Sequence, residues 1–255
     1  MLTDKQILFF QTFGFLALRQ LLTSAEVRAI NDELLVRLET VYPDRPYDGT
    51  MRYGSPMMGP DTPFYASLPE DSRFLGAARQ LYGDDVLIAG NGGNRYAANS
   101  LWHPDVGPDH PGGPKFAIYL EPVGADSGAL RVVPGSHRSP FHDIMRQDLG
   151  MHMEKAGFDI TELPAHVCDS QPGDVVVFDM RLWHASWGSS TDRRMCSIEY
   201  IRFPRTPAER GAVREVARGV LGDPNWRAYV QADPARQRWL DRWSELAATF
   251  QRDTA

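Results

Sequence analysis

The segment LWHPD places His103 and Asp105 two positions apart. On an extended backbone, residues i and i+2 project from one face, so an imidazole and a carboxylate at this spacing can reach a single ion. The best third donor is His184 in RLWHAS, just after the apolar run GDVVVFD, where a strand ends and the side chain can turn into a cleft. Two neutral imidazoles and one carboxylate on one face leave three positions of an octahedral ion open, whereas all-protein zinc sites use four ligands, or three and a water. An isolated His-x-Asp is more often a surface pair, so the weight rests on the combination. Other histidines fit less well: His110 lies in a Pro/Gly loop, His142 and His152 in a polar stretch, and His166 ahead of the QPGD turn, each suited to solvent or a hydrogen bond. His137 in PGSHR remains a competing candidate, with turn stabilisation as its simpler role.

Strands are needed to position these side chains, and beyond Leu75 the sequence supplies them as short apolar runs between turn residues: DVLIAG, GPKFAIYLEPV, GALRVVPGS, GDVVVFD and MCSIEYIRF. Phe116, Ile118 and Leu120 alternate with Ala117 and Tyr119, while Val175 to Phe178 form a continuous run suited to a strand covered on both faces. Upstream, Thr3 with Gln6 and Thr23 with Glu26 form capping-box patterns that predict two helices, with a strand in GFLALR between them. Residues 42–69 are rich in Pro, Gly and Met without periodicity and read as a long loop able to close over a pocket, while 205–255 read as a helical extension. The expected fold is mostly β with flanking helices: a double-stranded β-helix, or jelly roll of cupin-like form, in a single domain over 1–255.

Composition narrows the class. With 42% hydrophobic and 24% charged residues the chain is ordinarily globular, and its net charge of −6 includes no basic block for a phosphate backbone, which argues against nucleic acid as a partner. Asp4 and Lys5 interrupt any leader-like apolar run and no stretch is long enough to span a bilayer, so a cytoplasmic protein without membrane contact is expected, as monomer or homodimer. Cys168 and Cys196 sit in strand-like segments without metal-ligand spacing and read as buried thiols.

The segments LWHPD, FAIYLEPVGADSGALRVVPGSHR and GDVVVFDMRLWHASWGSSTDRR, together with the opening LTDKQILFFQTFGFLALRQLLTSAEV, stand in the order and spacing of the phytanoyl-CoA dioxygenase-like family, which residues 1 to 203 resemble. The resemblance implies Fe(II) on His103, Asp105 and His184, with 2-oxoglutarate and O2 as co-substrates. It further implies release of succinate and CO2 and oxidation, most simply hydroxylation, of a C–H bond in a small molecule. It also implies an Arg shortly after the distal histidine that grips the far carboxylate of 2-oxoglutarate. Arg193 and Arg194 compete for that role. Arg193 is favoured because Met195 and Ser197 share its strand face while Arg194 points away. Related halogenases lack the carboxylate that Asp105 supplies, so halogenation is disfavoured. Tyr119 is a second candidate for the co-substrate carboxylate. Asn94 and Arg95, in the polar stretch GNGGNRYAANS, are candidate substrate contacts, with a surface Gly-Asn hairpin as the alternative. Trp102 is a third, although alternation points it and Trp183 behind the site. Two rival functions use the same ligands: a zinc hydrolase, which has no need of Arg193, and a catalytically silent metal-binding protein.

Overall fold

The structure is a computed structural model, and it describes residues 1–97, 99–149, 163, 165–188 and 191–250; His152, Ser189 and Ser190 lie outside them. Both N-terminal capping boxes form. Thr3 starts α1 (Asp4–Phe13) and Thr23 starts α2 (Ser24–Val41), each side chain accepting the N3 amide while Gln6 or Glu26 reaches back to the cap. Between them runs β1 (Phe15–Leu18). Then follow β2 (Arg52–Pro56), α3 (Pro63–Ser67), α4 (Ser72–Tyr82), β3 (Val86–Tyr96), β4 (Ser100–His103), β5 (Pro114–Tyr119), β6 (Ser127–Val132) and α5 (Phe141–Leu149). The chain continues through β7 (His166–Cys168), β8 (Val175–Asp179), β9 (His184–Gly188) and β10 (Arg193–Arg202). It closes with α6 (Pro207–Ala212), α7 (Arg214–Gly222), α8 (Pro224–Gln231) and α9 (Gln237–Ala247).

The strands form two antiparallel sheets, a large one in the order β1-β8-β5-β10-β3-β2 and a small one in the order β4-β9-β6-β7. This is the expected jelly roll with helices at both ends. Ala117, Tyr119, Val176 and Phe178 of the large sheet pack against Ala129, Leu130 and Val132 of the small one. The opposite phase of the same strands, Phe116, Ile118, Val175, Val177, Cys196 and Ile198, packs against the helices. The uninterrupted valine run of β8 thus serves two cores at once. Trp243 anchors the C-terminal helices, its Nε1 donating to the Ile88 carbonyl at 2.9 Å. Cys168 and Cys196 are free buried thiols.

Two stretches differ from the sequence reading. Residues 42–69 are not without regular structure: β2 pairs with β3, Met57 and Met58 are buried in the helix-side core, and the first amides of α3 donate to the Glu33 carboxylate at 2.8 Å. Proline is tolerated in β2 because it is an edge strand. The glycine-rich GNGGNRY is not a surface hairpin but the second half of β3, inside the sheet between β10 and β2. A Cβ at Gly93 would lie 2.5 Å from Leu34 Cδ1 and from Met57 Sδ, so the missing side chain is what lets α2 and Met57 approach the strand.

Candidate metal centre

His103 ends β4 and His184 begins β9, and the two are directly opposite in the register of the small sheet. Asp105 follows in the loop after β4, where its backbone N–H donates to the Met180 carbonyl at 2.9 Å. Among the described residues these three form the group able to hold a metal ion, with one donor atom from each lying within 4.8 Å of the others. His137 is not part of it. That residue is buried against Gly14, and His142 is buried with Nδ1 3.1 Å from the Ser136 and Arg181 carbonyls.

Each imidazole is oriented by its own chain. Nδ1 of His103 is 2.7 Å from the Leu101 carbonyl and Nδ1 of His184 is 2.8 Å from the Leu182 carbonyl. A carbonyl only accepts, so Nδ1 donates in both rings and Nε2 is the atom left to face a ligand. Asp105 Oδ1 lies 3.9 Å from Nε2 of His103 and 3.7 Å from Nε2 of His184. Cis donors on an octahedral ion with bonds of about 2.1 Å stand roughly 3 Å apart, so these separations need to close by less than about 1 Å. Burial, partly offset by Asp105, pushes the His184 pKa down to about 4, which keeps the ring neutral and ligand-competent at pH 7. For Asp105, burial pushes upward but is outweighed by His184, Lys115 and His103, and the carboxylate is held below its ordinary value. Two imidazoles and one charged carboxylate fit a divalent cation with open positions.

Facing this group across the cleft, β10 presents alternate residues. Met195 pairs with Tyr119 and Asn94, Ser197 with Ala117 and Gly92, and Glu199 with Lys115 and Gly90. Arg193 shares that phase and is 1% exposed. Its guanidinium lies 4.1 Å from the centre of the Tyr96 ring and donates through Nη1 to the Gly128 carbonyl at 3.0 Å, which ties the large sheet to the small one. Arg194 takes the other phase, where it bonds Asn31 of α2 at 2.6 Å and pairs with Glu121 at 3.3 Å. Tyr119 is buried on the cleft phase, and burial raises its hydroxyl well above the usual tyrosine value.

Two sequence-predicted contacts are corrected. Arg95 lies on the Arg194 phase, paired with Asp192 at 2.6 Å and stacked on Tyr47 at 4.3 Å, so it faces away from the cleft. Trp102 packs with Trp183, Val133, Met145 and Ala185 in a separate apolar cluster, because alternation along β4 turns it to the face opposite His103. Asn94 keeps the cleft phase, with its Oδ1 accepting from Arg52 at 3.0 Å. Lys115 and Glu199 were missed. The lysine Nζ is 3.2 Å from Asp105 Oδ2 and 3.1 Å from Glu199 Oε1. The available signal was a charge inside each of two otherwise apolar strand runs.

Fold and donor set together describe a jelly-roll protein with a three-residue group able to hold a metal ion. The profile of the phytanoyl-CoA dioxygenase family matches residues 89–196, the segment that carries all three donors and Arg193. Over that segment the chain is similar to the phytanoyl-CoA dioxygenase family. It is 27% identical over 154 residues to the ectoine dioxygenase of Sphingopyxis alaskensis, a match covering 51% of this chain and 50% of that protein, so the chain spans about half the length of its curated relative. Solved structures share the fold. HygX from Streptomyces hygroscopicus with nickel and 2-oxoglutarate bound aligns with a TM-score of 0.62 at 23% identity, covering 79% of this chain and 87% of that one. EctD from S. alaskensis with 2-oxoglutarate and 5-hydroxyectoine gives 0.57 at 19%, covering 79% and 77%. The carbocyclase SnoK from nogalamycin biosynthesis gives 0.61 at 20%, covering 79% and 85%. No helix among the described residues is long and apolar enough to cross a membrane.

Proposed function

We propose that the protein is an iron(II)- and 2-oxoglutarate-dependent oxygenase that hydroxylates a C–H bond of a small polar metabolite, with release of succinate and CO2. The observation that carries this reading is the His103/Asp105/His184 set standing in one cleft with a buried arginine on the facing sheet. Nε2 of each imidazole and Oδ1 of Asp105 would hold the ion on one face and leave the opposite face open. Iron, 2-oxoglutarate and dioxygen together supply the oxidising power needed to break an unactivated C–H bond. Arg193 offers two parallel N–H donors to the far carboxylate of 2-oxoglutarate, and its stacking on Tyr96 fixes the plane of that fork before the ligand arrives. The Tyr119 hydroxyl, kept protonated by burial, is a second donor on the same cleft face. Phe178, whose ring centroid is 4.8 Å from that of His184, helps keep water from the centre.

A hydrolase built on the same three ligands has no use for a buried arginine facing the ion. A polar substrate is supported by the polar molecules named with two structural relatives, 5-hydroxyectoine with EctD and hygromycin B with HygX. The test is anaerobic loading with Fe(II), measurement of 2-oxoglutarate binding, and then succinate release in air against a panel of polar metabolites. Iron-dependent binding, and succinate release stimulated by one panel member, are expected. His103→Ala should lose both metal and turnover. Stoichiometric zinc without 2-oxoglutarate binding, or full turnover by His103→Ala, would overturn the assignment.

A further inference from the structure

We propose that Lys115, braced by Glu199, is a positioning residue that holds Asp105 so that only one of its carboxylate oxygens is offered to the metal. The inference rests on the function proposed above and adds to it a residue pair from the chain's own strands. The two oxygens of Asp105 are divided between partners: Oδ1 faces both imidazole Nε2 atoms at 3.9 and 3.7 Å, and Oδ2 faces the lysine ammonium at 3.2 Å. Lys115 does not make this contact from a freely moving stem. It sits on the cleft phase of β5, directly opposite Glu199 of β10, and its side chain is only 17% exposed. Glu199 Oε1 holds the ammonium from the other side at 3.1 Å and receives the Ser197 hydroxyl at 3.4 Å. Both carboxylates hold the ammonium in its charged form against the opposing pull of burial.

The division matters because a carboxylate can bind a cation through one oxygen or through both. An Asp105 free to turn could place its second oxygen on one of the positions that a chelating co-substrate and dioxygen need. Asp105 is on a loop whose backbone is held by the Asp105 and Val106 N–H groups donating to the Met180 carbonyl at 2.9 and 3.3 Å; these bonds fix the backbone and leave the side-chain torsion to be set by other contacts. A cation on a neighbouring strand, itself pinned by a cross-strand carboxylate, does this without competing for the ion.

The test uses Lys115→Met, Lys115→Arg and Glu199→Gln in the full chain. Metal stoichiometry, 2-oxoglutarate affinity by anaerobic titration and the visible spectrum of the cobalt(II)-substituted protein are the readouts, so none depends on turnover. Lys115→Met is expected to keep the metal, to bind 2-oxoglutarate about 10-fold or more weakly, and to change the cobalt band pattern as a coordination change requires. Lys115→Arg should restore the band pattern, and Glu199→Gln should shift it in the Lys115→Met direction by a smaller amount. Wild-type spectrum and affinity in Lys115→Met would overturn the proposal, and so would loss of the metal itself, which would mean that the lysine retains the ion rather than dividing the carboxylate. Should Lys115→Met not fold, an unchanged cobalt spectrum in Glu199→Gln overturns the proposal and a shifted one supports it. If the wild-type protein itself binds no 2-oxoglutarate, it is the oxygenase reading that fails and not the role of the lysine.

Discussion

Gly128 is the position where a single methyl group should do most damage to the site without touching any of its side chains by substitution. Its φ is +90°, and a Cβ built there would lie 1.5 Å from Arg193 Nη1, 2.6 Å from its Cζ and 2.9 Å from its Cδ. The guanidinium cannot retreat far, because the Tyr96 ring covers its other face at 4.1 Å and the side chain has almost no exposure. In Gly128→Ala the left-handed backbone costs about 1–2 kcal/mol, and forcing a methyl into the packed interior about 1–3 kcal/mol more. For a chain of this size the sum corresponds to a fall in Tm of roughly 5–15 °C. Gly135→Ala provides the control. That glycine has φ +81° but its nearest neighbour would be Thr12 O at an ordinary 3.7 Å, so only the backbone cost of about 1–2 kcal/mol applies. Thermal melts of both variants, with anaerobic titration of 2-oxoglutarate into the iron-loaded proteins, separate the two effects. Gly128→Ala should melt lower than Gly135→Ala and bind the co-substrate at least about 10-fold more weakly, because its donor fork is displaced. If the two variants melt together and Gly128→Ala binds 2-oxoglutarate like the wild type, Arg193 is not held where the carboxylate needs it.

Two further outcomes are expected. Arg193→Lys, which keeps the charge but loses the parallel donors, should raise the 2-oxoglutarate requirement about 10-fold or more at unchanged iron content; Arg194→Ala should leave binding intact and cost about 1 kcal/mol through its lost Asn31 and Glu121 contacts, and a co-substrate defect in Arg194→Ala alone would show the strand phase to be wrong. Burial, with Arg181 adding to it, lowers the His110 pKa to about 4 in the fold, against an ordinary 6.5. The unfolded chain therefore binds a proton here before the folded one does, and stability declines as pH falls through 6.5 toward 4. Between pH 7.5 and 5 the metal-free protein should lose about 2 kcal/mol through this residue, measured as a urea midpoint shift that is smaller in His110→Asn; parallel declines in the two proteins would refute it.

Period-two alternation makes much of the cleft legible in the sequence itself. It separates Arg193 from Arg194 and turns Trp102 behind the site, whereas Asp105 lies past the end of β4 and reaches His103 from a loop. The capping boxes at Thr3 and Thr23 were equally plain, because they are satisfied within four residues. What escaped depends on partners far along the chain. The glycines of β3 look like turn residues until Leu34 and Met57 are seen packed against them, and β2 looks like loop until β3 is there to pair with it. Arg95 looked like a substrate contact because its partners, Asp192 and Tyr47, lie on other segments. Lys115 and Glu199 drew no reading from the sequence, because only the register of β5 and β10 sets them side by side next to Asp105.

The opposed placement of His103 and His184 on the small sheet and Arg193 on the large one makes the cleft a seam between two separately hydrogen-bonded layers. A molecule that touches both sides acts as a rivet. Its binding energy adds to the resistance of the layers to parting, by about 2.7 kcal/mol at a free concentration 100 times its Kd. Linkage runs in both directions, so substitutions at the seam remote from any ligand, such as at Leu130 or Val176, should weaken ligand binding to the degree that they let the layers part.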